Sequence, residues 1–354
     1  MKNKILISTG GSGGHVIPAT ILYDHISETN EVVISTDKRG LRYLDKNNYE
    51  IKIIDTPRLN NIFSLPLNLI IILFQIFKSF FLLKKNKINF LFSTGGYMSL
   101  PLILASKFIG IKIFLLEPNS VLGRANKFFL NSCEKIFCYN DKLKNFPSNF
   151  EYKIIKIDPL IRKEFYKIKK NINPNKKFNI LIVGGSQGAE VFDNKLKNII
   201  INLSKKFSIN IIQQTNKKNI SYLTDLYSKN NIKNKIFDYD NNFVNYISQS
   251  DICITRAGAT TLAELSLLNV PFIAIPLPSS KDNHQFENAN FYLEKNCCWI
   301  VDQNLLENNI EEILREIFQN KTVFLEKKEN LKKLNYQNSW INVNQKILKS
   351  INEN

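Results

Sequence analysis

Short, almost wholly apolar runs recur along this chain, separated by longer stretches that mix apolar and polar positions. The first run, from Lys4 to Thr9, is followed by EVVIST at 31–36, INFLFSTGGY at 88–97, GIKIFLLEPN at 110–119, SCEKIFCYN at 132–140 and YKIIKID at 152–158. Runs this short, with no polar alternation, predict strands buried on both faces, hence a parallel sheet covered by helices. Between the first two runs the pattern predicts a helix from about Ile17 to Ser27, with Pro18 tolerated in its first turn.

The plan then repeats. FNILIVGGSQGAEVFDNKLKNIIINL at 178–203 reads as strand, glycine turn and helix, and strands follow at INIIQQT, NKIFDY, DICITR, PFIAIP and CCWIVD. The two glycine turns, STGGSGGH and IVGGSQGA, lie nearly half the chain apart. This predicts an α/β protein of two Rossmann-like, doubly wound domains: residues 1–160 and 161–335, with a terminal helical stretch at 336–354. The joint is expected at 158–177, where order gives way to Pro, Asn and Lys. Parallel α/β sheets bind ligands at the carboxyl ends of their strands, and two such domains facing one another would place those ends across a cleft.

One run is too long for a strand. LNLIIILFQIFKSFFLL at 67–83 approaches membrane-span length but carries Asn68, Gln75, Lys78 and Ser79. As a helix it would present Leu69, Leu73, Ile76, Phe77, Phe80 and Leu83 on one wide apolar face, bordered by Lys78, Lys84, Lys85 and Lys87. Two readings stay open on the residues alone: an internal helix of the domain, or a helix that packs part of this face on a core while the remainder dips into an anionic bilayer surface.

Composition narrows the class. At 354 residues and 44% hydrophobic content, the chain can fill more than one core and is not a disordered protein. The formal net charge of +17 would suit nucleic acid or an anionic membrane, yet Lys and Asn crowd every loop, so much of it reads as solvated surface. Five cysteines without a CxxC pair, and only three histidines, suggest a reducing compartment and no structural metal. The start MKNKILISTGG reaches glycine too soon for a signal-peptide core, which points to the cytoplasm.

The glycine turns carry the candidate chemistry. A glycine-rich strand-to-helix turn lets backbone N–H groups approach a phosphate, helped by the positive end of the helix dipole. Gly10, Gly11, Ser12, Gly13 and Gly14 form one such turn; Gly184, Gly185, Ser186 and Gly188 form a second. TRAGATTLAEL at 255–265 forms a third, with Thr260, Thr261 and Glu264 on its helix. Each alone is weak, since glycine also serves tight packing. TGGSGGHV lacks dinucleotide spacing, so although Asp37 ends the second strand nothing suggests a nicotinamide site, and no phosphate loop of the ATPase type is present.

With GGSGGHVIP, STGGYMSLP, VGGSQGAE, TRAGATTLAEL and PFIAIPLPSSKDNHQFENA in this order, the chain closely resembles the MurG-like enzymes of glycosyltransferase family 28. The resemblance implies a GT-B fold and inverting transfer of N-acetylglucosamine from UDP-GlcNAc to the C4 hydroxyl of the muramyl sugar of lipid I, giving lipid II. It implies no cofactor and no metal. His15 would be the catalytic base or acceptor-orienting group, since imidazole titrates near neutrality. Ser12, Gly13 and Gly14 would lie by the donor sugar and diphosphate; Asn119 would contact the transferred sugar; Arg162 would serve the diphosphate or a hinge. Ser186 and Gly188 would meet the nucleotide. Ala259, Thr260, Thr261, Leu262 and Ala263 would line the diphosphate turn, Glu264 would accept from the ribose, and Gln285 would read the sugar hydroxyls, with His284 and Asn288 as peripheral neighbours.

The resemblance also implies that the 67–83 helix is the patch by which such enzymes sit, peripherally, on the cytoplasmic face of the inner membrane. It implies a terminal helix from about 336 that crosses back to the first domain, and no nucleic-acid partner. Two departures stand out: LEPN, where the family has His-Glu-Gln-Asn, puts Leu116 and Pro118 in place of a polar pair, and DPLIR at 158–162 replaces Gly-Asn-Pro-Val-Arg. Alternatives are a GT-B transferase for another lipid such as diacylglycerol, a non-catalytic nucleotide-sugar-binding membrane adaptor, and an NAD-dependent oxidoreductase.

Overall fold

The computed structural model describes residues 2–57, 65–168, 177–185, 190–238, 240, 243–335 and 337–353. The chain divides into two compact units, Met1–Ile161 with Ser339–Asn354, and Arg162–Asn338. In chain order the first contains β1 (Lys4–Ser8), α1 (Gly13–Ser27), β2 (Glu31–Thr36), β3 (Ile51–Ile53), α2 (Leu65–Lys85), β4 (Phe90–Ser93), α3 (Leu100–Ile109), β5 (Lys112–Glu117), α4 (Arg124–Phe129), β6 (Lys135–Cys138) and β7 (Ile154–Lys156). The second contains β8 (Phe178–Val183), α5 (Glu190–Ser204), β9 (Ile209–Gln214), α6 (Ile220–Lys229), β10 (Lys233–Phe237), α7 (Phe243–Gln249), β11 (Ile252–Thr255), α8 (Ala259–Leu267), β12 (Phe272–Ala274), α9 (His284–Leu293), β13 (Cys298–Ile300), α10 (Leu306–Gln319) and α11 (Thr322–Leu334). The terminal helix α12 (Trp340–Asn352) rejoins the first unit.

In the first unit seven parallel strands run in the order β3-β2-β1-β4-β5-β6-β7. Successive residues of β1 face opposite sides. Ile5 and Ile7 pack with Phe92, Phe114 and Phe137 against α1 and α12, while Leu6 joins Leu91, Leu102, Ile103 and Leu83 under α2 and α3. Helix α12 is fixed by a stacked pair, Trp340 on the buried His25 of α1 with ring centroids 3.6 Å apart, and by Lys346 Nζ on Asp158 at 2.9 Å. The pattern of apolar runs does not predict the short β3.

Two expectations change here. Helix α1 starts at Gly13, four residues earlier than the pattern suggests, so Pro18 lies inside it and not in its first turn. The helix tolerates this because the carbonyl that Pro18 cannot serve belongs to Gly14, which is exposed. Helix α2 does not present the expected residues together. Ile72, Ser79 and Leu83 are buried, and Ile76 and Phe80 lean on the core, whereas Leu69, Ile70, Leu73, Phe74, Phe77 and Phe81 are exposed. Leu83 and much of Ile76 and Phe80 therefore face inward, because positions 72, 76, 79 and 83 form the stripe turned toward the rest of the unit, α3 above all. Lys84 and Lys85 are exposed, with Lys84 Nζ 4.5 Å over the Phe80 ring.

In the second unit six parallel strands run in the order β10-β9-β8-β11-β12-β13. Ile180, Ile182, Ile254 and Ile273 of the sheet pack with Phe192 and Leu196 of α5, and with Leu306, Ile310, Leu314 and Ile317 of α10. The last four repeat at the spacing of one helix face. Leu116 and Leu160, at the two sequence departures, are both buried in the core of the first unit.

Candidate active site

Each sheet reverses its strand order once on either side of a central pair, β1 beside β4 in the first unit and β8 beside β11 in the second. The crevice beyond the carboxyl ends of such a pair is where open α/β sheets take ligands. The glycine turns follow these four strands, so both units place their most permissive backbone at that point.

In the first unit, Gly10 and Gly11 adopt φ of +153° and +77°, which lets the chain leave β1 and turn into α1. Ser12 is the extended N-cap residue, its carbonyl accepting from the amides of His15 and Val16 at 3.0 and 3.1 Å. The amides of Gly13 and Gly14 open the helix, whose first turn holds no acidic residue. The half-buried His15 ring places Nδ1 2.8 Å from the Thr94 carbonyl at the end of β4. A carbonyl only accepts, so in the neutral ring Nδ1 carries the proton and Nε2 the lone pair; Nε2 lies 3.7 Å from where a side chain on Gly96 would begin.

Two carboxylates to which the motif reading gave no role organise this site. Asp37, wholly buried, accepts from the amides of Gly11 and Gly40, both at 2.8 Å, and from Arg39 Nε at 2.9 Å and Nη2 at 2.5 Å. Burial would raise its pKa, but the two amides and the guanidinium outweigh this and hold it below the ordinary carboxylate value. Glu117, at the end of β5, accepts from Asn119 Nδ2 at 2.9 Å, Gly123 N at 2.8 Å and Asn126 Nδ2 at 2.9 Å. Asn119 is thus held by its own neighbour. Its signal in the sequence was available: an acid two residues before the asparagine at a strand end.

In the second unit, Gly258 is the N-cap of α8 and offers no side chain to the helix start, so the first amides, of Ala259, Thr260 and Thr261, are not capped by it. Thr260 and Thr261 are partly exposed, while Leu262 and Ala263 are buried and pack the helix. Arg256 braces this turn from below: its guanidinium donates to the Ile275 carbonyl at 3.0 Å and to Gln303 at 2.7 Å, and lies over the Phe192 ring. Asn288 Nδ2 donates to the Ala257 carbonyl at 3.1 Å, and Gln285 Oε1 accepts from the Leu277 amide at 2.8 Å. His284 Nδ1 faces the Lys281 carbonyl.

Glu264 is only 1% exposed and accepts from Arg162 Nε at 2.7 Å. Burial pushes its pKa up and Arg162 opposes the rise. These two residues, assigned by the motif reading to ribose and diphosphate separately, are brought together. Gly185, with φ of +75°, opens the second turn; Ser186 and Gly188 lie outside the described residues. Among the described residues no three His, Cys, Asp or Glu side chains converge as a metal site, and the five cysteines are buried and unpaired.

Two parallel-sheet α/β units with glycine turns at their reversal points define a GT-B-type fold. The chain matches the glycosyltransferase family 28 N-terminal domain over residues 5–138 and the family 28 C-terminal domain over residues 179–340. It is 49% identical, over the full length of both chains, to the UDP-N-acetylglucosamine--N-acetylmuramyl-(pentapeptide) pyrophosphoryl-undecaprenol N-acetylglucosamine transferase of Pelagibacter ubique. To the same-named enzyme of Rickettsia felis it is 31% identical, covering 93% of this chain and 95% of that one. Among solved structures, MurG of Acinetobacter baumannii aligns over the whole of both chains with a TM-score of 0.77 at 23% identity. A UDP-GlcNAc 2-epimerase from Neisseria meningitidis, bound to UDP-GlcNAc, aligns over 99% of this chain and 100% of that one with a TM-score of 0.67 at 15% identity, a likeness of fold alone. The chain belongs to glycosyltransferase family 28, among its MurG-like members.

Proposed function

We infer that this chain is an inverting glycosyltransferase that moves N-acetylglucosamine from UDP-GlcNAc to the C4 hydroxyl of the muramyl sugar of lipid I, yielding lipid II. The observation that carries the reading is the 49% identity, over the full length of both chains, to a transferase named for that reaction. The second unit takes the donor. The amides and hydroxyls at Thr260 and Thr261, with the Gly184–Gly185 turn, receive the diphosphate as charge accumulates on it. Glu264, through Arg162, fixes the edge of the nucleotide pocket, and Gln285 the sugar side. Ser12, Gly13 and Gly14 are read as lying by the donor sugar and diphosphate and Asn119 as contacting the transferred sugar, with the acceptor approached through the first unit.

The step is a single in-line displacement. The acceptor oxygen forms a bond to the anomeric carbon, the bond from that carbon to the UDP oxygen breaks, and the hydroxyl proton passes to His15 Nε2. The tautomer fixed by the Thr94 carbonyl leaves that nitrogen able to accept it. Helix α2 has the length and composition to enter a bilayer. Its exposed face, bordered by Lys84 and Lys85, supports peripheral attachment to an anionic inner-membrane surface. The test is an assay of purified protein with UDP-GlcNAc and a lipid I analogue. Lipid II and UDP should form together; turnover of diacylglycerol in place of lipid I would overturn the acceptor, and donor binding without turnover would overturn the enzyme.

A further inference from the structure

The acid at the end of the second strand of a Rossmann-like sheet commonly faces a ribose. Asp37 occupies that position, yet its carboxylate is wholly buried and all its acceptor capacity is used by protein donors: the Gly11 and Gly40 amides on Oδ1, and Arg39 Nε and Nη2 on Oδ2. The guanidinium of Arg39 continues to the hydroxyl of Tyr97, in the turn that follows β4. Both supports of the His15 imidazole are reached from this one carboxylate. On one side Asp37 holds Gly11, which leads through the Ser12 N-cap into the helix that bears His15. On the other, Arg39 and Tyr97 hold the turn that begins with Thr94, whose carbonyl accepts from His15 Nδ1. The fit is close: a Cβ on Gly10 would lie 2.6 Å from Asp37 Oδ1, and one on Gly40 would overlap Thr36 Oγ1.

We propose that Asp37, acting through Arg39, is a positioning residue for the transfer step: it locks the two glycine turns of the first unit in register and so fixes the line along which His15 meets the acceptor hydroxyl. The proposal rests on the reading of His15 as base. It assigns Asp37 no contact with either substrate, and because an asparagine at 37 still offers an oxygen to the Gly11 amide, the change acts on turnover while UDP-GlcNAc binding persists. Asp37→Asn is the informative change, because the amide oxygen still accepts from Gly11 and Gly40 whereas the new NH2 opposes Arg39. Arg39→Met breaks the same link from the other end, and carries the test if Asp37→Asn does not fold.

The experiment measures kcat and KM for UDP-GlcNAc and for a lipid I analogue in full-length wild type, Asp37→Asn, Arg39→Met, His15→Ala and the double variant Asp37→Asn, His15→Ala. Misplacement of a reacting group by about an ångström predicts kcat about 10- to 100-fold lower in the first two variants, with KM for UDP-GlcNAc within about twofold of wild type. The double variant should be no slower than His15→Ala by more than about twofold, since a clamp that works through His15 has nothing to position once the imidazole is gone. Multiplied losses in the double variant, an unchanged kcat in Asp37→Asn and Arg39→Met, or a loss confined to KM for UDP-GlcNAc would each overturn the proposal while the reading of His15 stands. Full activity of His15→Ala would overturn that reading, and the proposal with it.

Discussion

Glu264 Oε1 accepts a hydrogen bond from Arg162 Nε at 2.7 Å, joining the first residue of the second unit to α8. A carboxylate 1% exposed needs such a partner, and removing the partner leaves a charge with little water to solvate it. Arg162→Ala is expected to destabilise the protein by about 2 kcal/mol, less than the ~3–5 kcal/mol of a wholly buried pair because the arginine side chain is partly solvated. The folded-state pKa of Glu264 lies above its ordinary value, so the folded protein holds this proton more tightly than the unfolded chain. Its contribution to stability is therefore greatest below the unfolded pKa and falls as pH rises through the folded one. Losing Arg162 raises that pKa further, so the deficit of Arg162→Ala against wild type should be small in mild acid and grow toward neutrality. Urea melts across that range check this; a deficit that does not vary with pH would contradict it.

His15 holds its ring by Nδ1 and presents Nε2, the arrangement a base needs. Replacing it by Ala removes both the proposed proton acceptor and the tether to Thr94. Turnover should fall about 10²- to 10⁴-fold, the range general base catalysis supplies, with UDP-GlcNAc affinity by calorimetry within about twofold of wild type. His15→Asn tests which function matters, since the amide NH2 can still donate toward Thr94 but the group cannot take a proton. It should be as slow as His15→Ala; a rate near wild type would reduce His15 to an orienting role.

The pattern of apolar runs was sufficient to place most strands, because buried parallel strands leave an almost uninterrupted apolar signature. β3 escaped it: its three residues, Ile51, Lys52 and Ile53, form an edge strand that is half wet and too short to stand out. Helix α2 was legible as a helix, but its wet and dry sides were not, since apolar residues surround it and only the neighbours it packs on distinguish Ile72 from Ile70. The glycines and His15 were legible from spacing. What holds them was not: Asp37 reaches Gly11 across 26 positions, and Arg162 reaches Glu264 across 102, pairings that depend on strand order. Leu116 and Leu160, at the two departures, are core positions of the first unit, which the motif spacing alone did not reveal.

Gly96 has a φ of +84°, and a Cβ there would run into Met98 Sδ. Gly96→Ala combines backbone strain with a clash at the edge that Nε2 of His15 faces. The variant is expected to lose about 1–3 kcal/mol of stability and most of its turnover. Adding Met98→Ala should relieve the clash and leave the strain, so melting temperature recovers in part and rate follows. If the single variant melts and turns over as wild type, this turn is not as tightly set as its geometry implies.

Phe74 and Phe77 of α2 are each more than half exposed, on a helix of which most of the apolar surface meets no protein. Water around that many aromatic and aliphatic groups is unfavourable, and a contiguous patch of this kind on a folded domain marks a surface that meets something else. The exposed Lys84 and Lys85 at the end of the helix favour an anionic partner. The double variant Phe74→Ser, Phe77→Ser should melt like wild type, since neither ring packs on the core, yet it should lose most of its sedimentation with vesicles of mixed phosphatidylglycerol and phosphatidylethanolamine. Ile72→Ser, nearby on the helix but buried, should do the reverse, costing about 2–4 kcal/mol of stability with binding retained by the folded fraction. Raising the salt should weaken wild-type binding without abolishing it, because the lysines are screened and the apolar rings are not. Equal sedimentation of the wild type and the serine variant would remove α2 from the membrane contact.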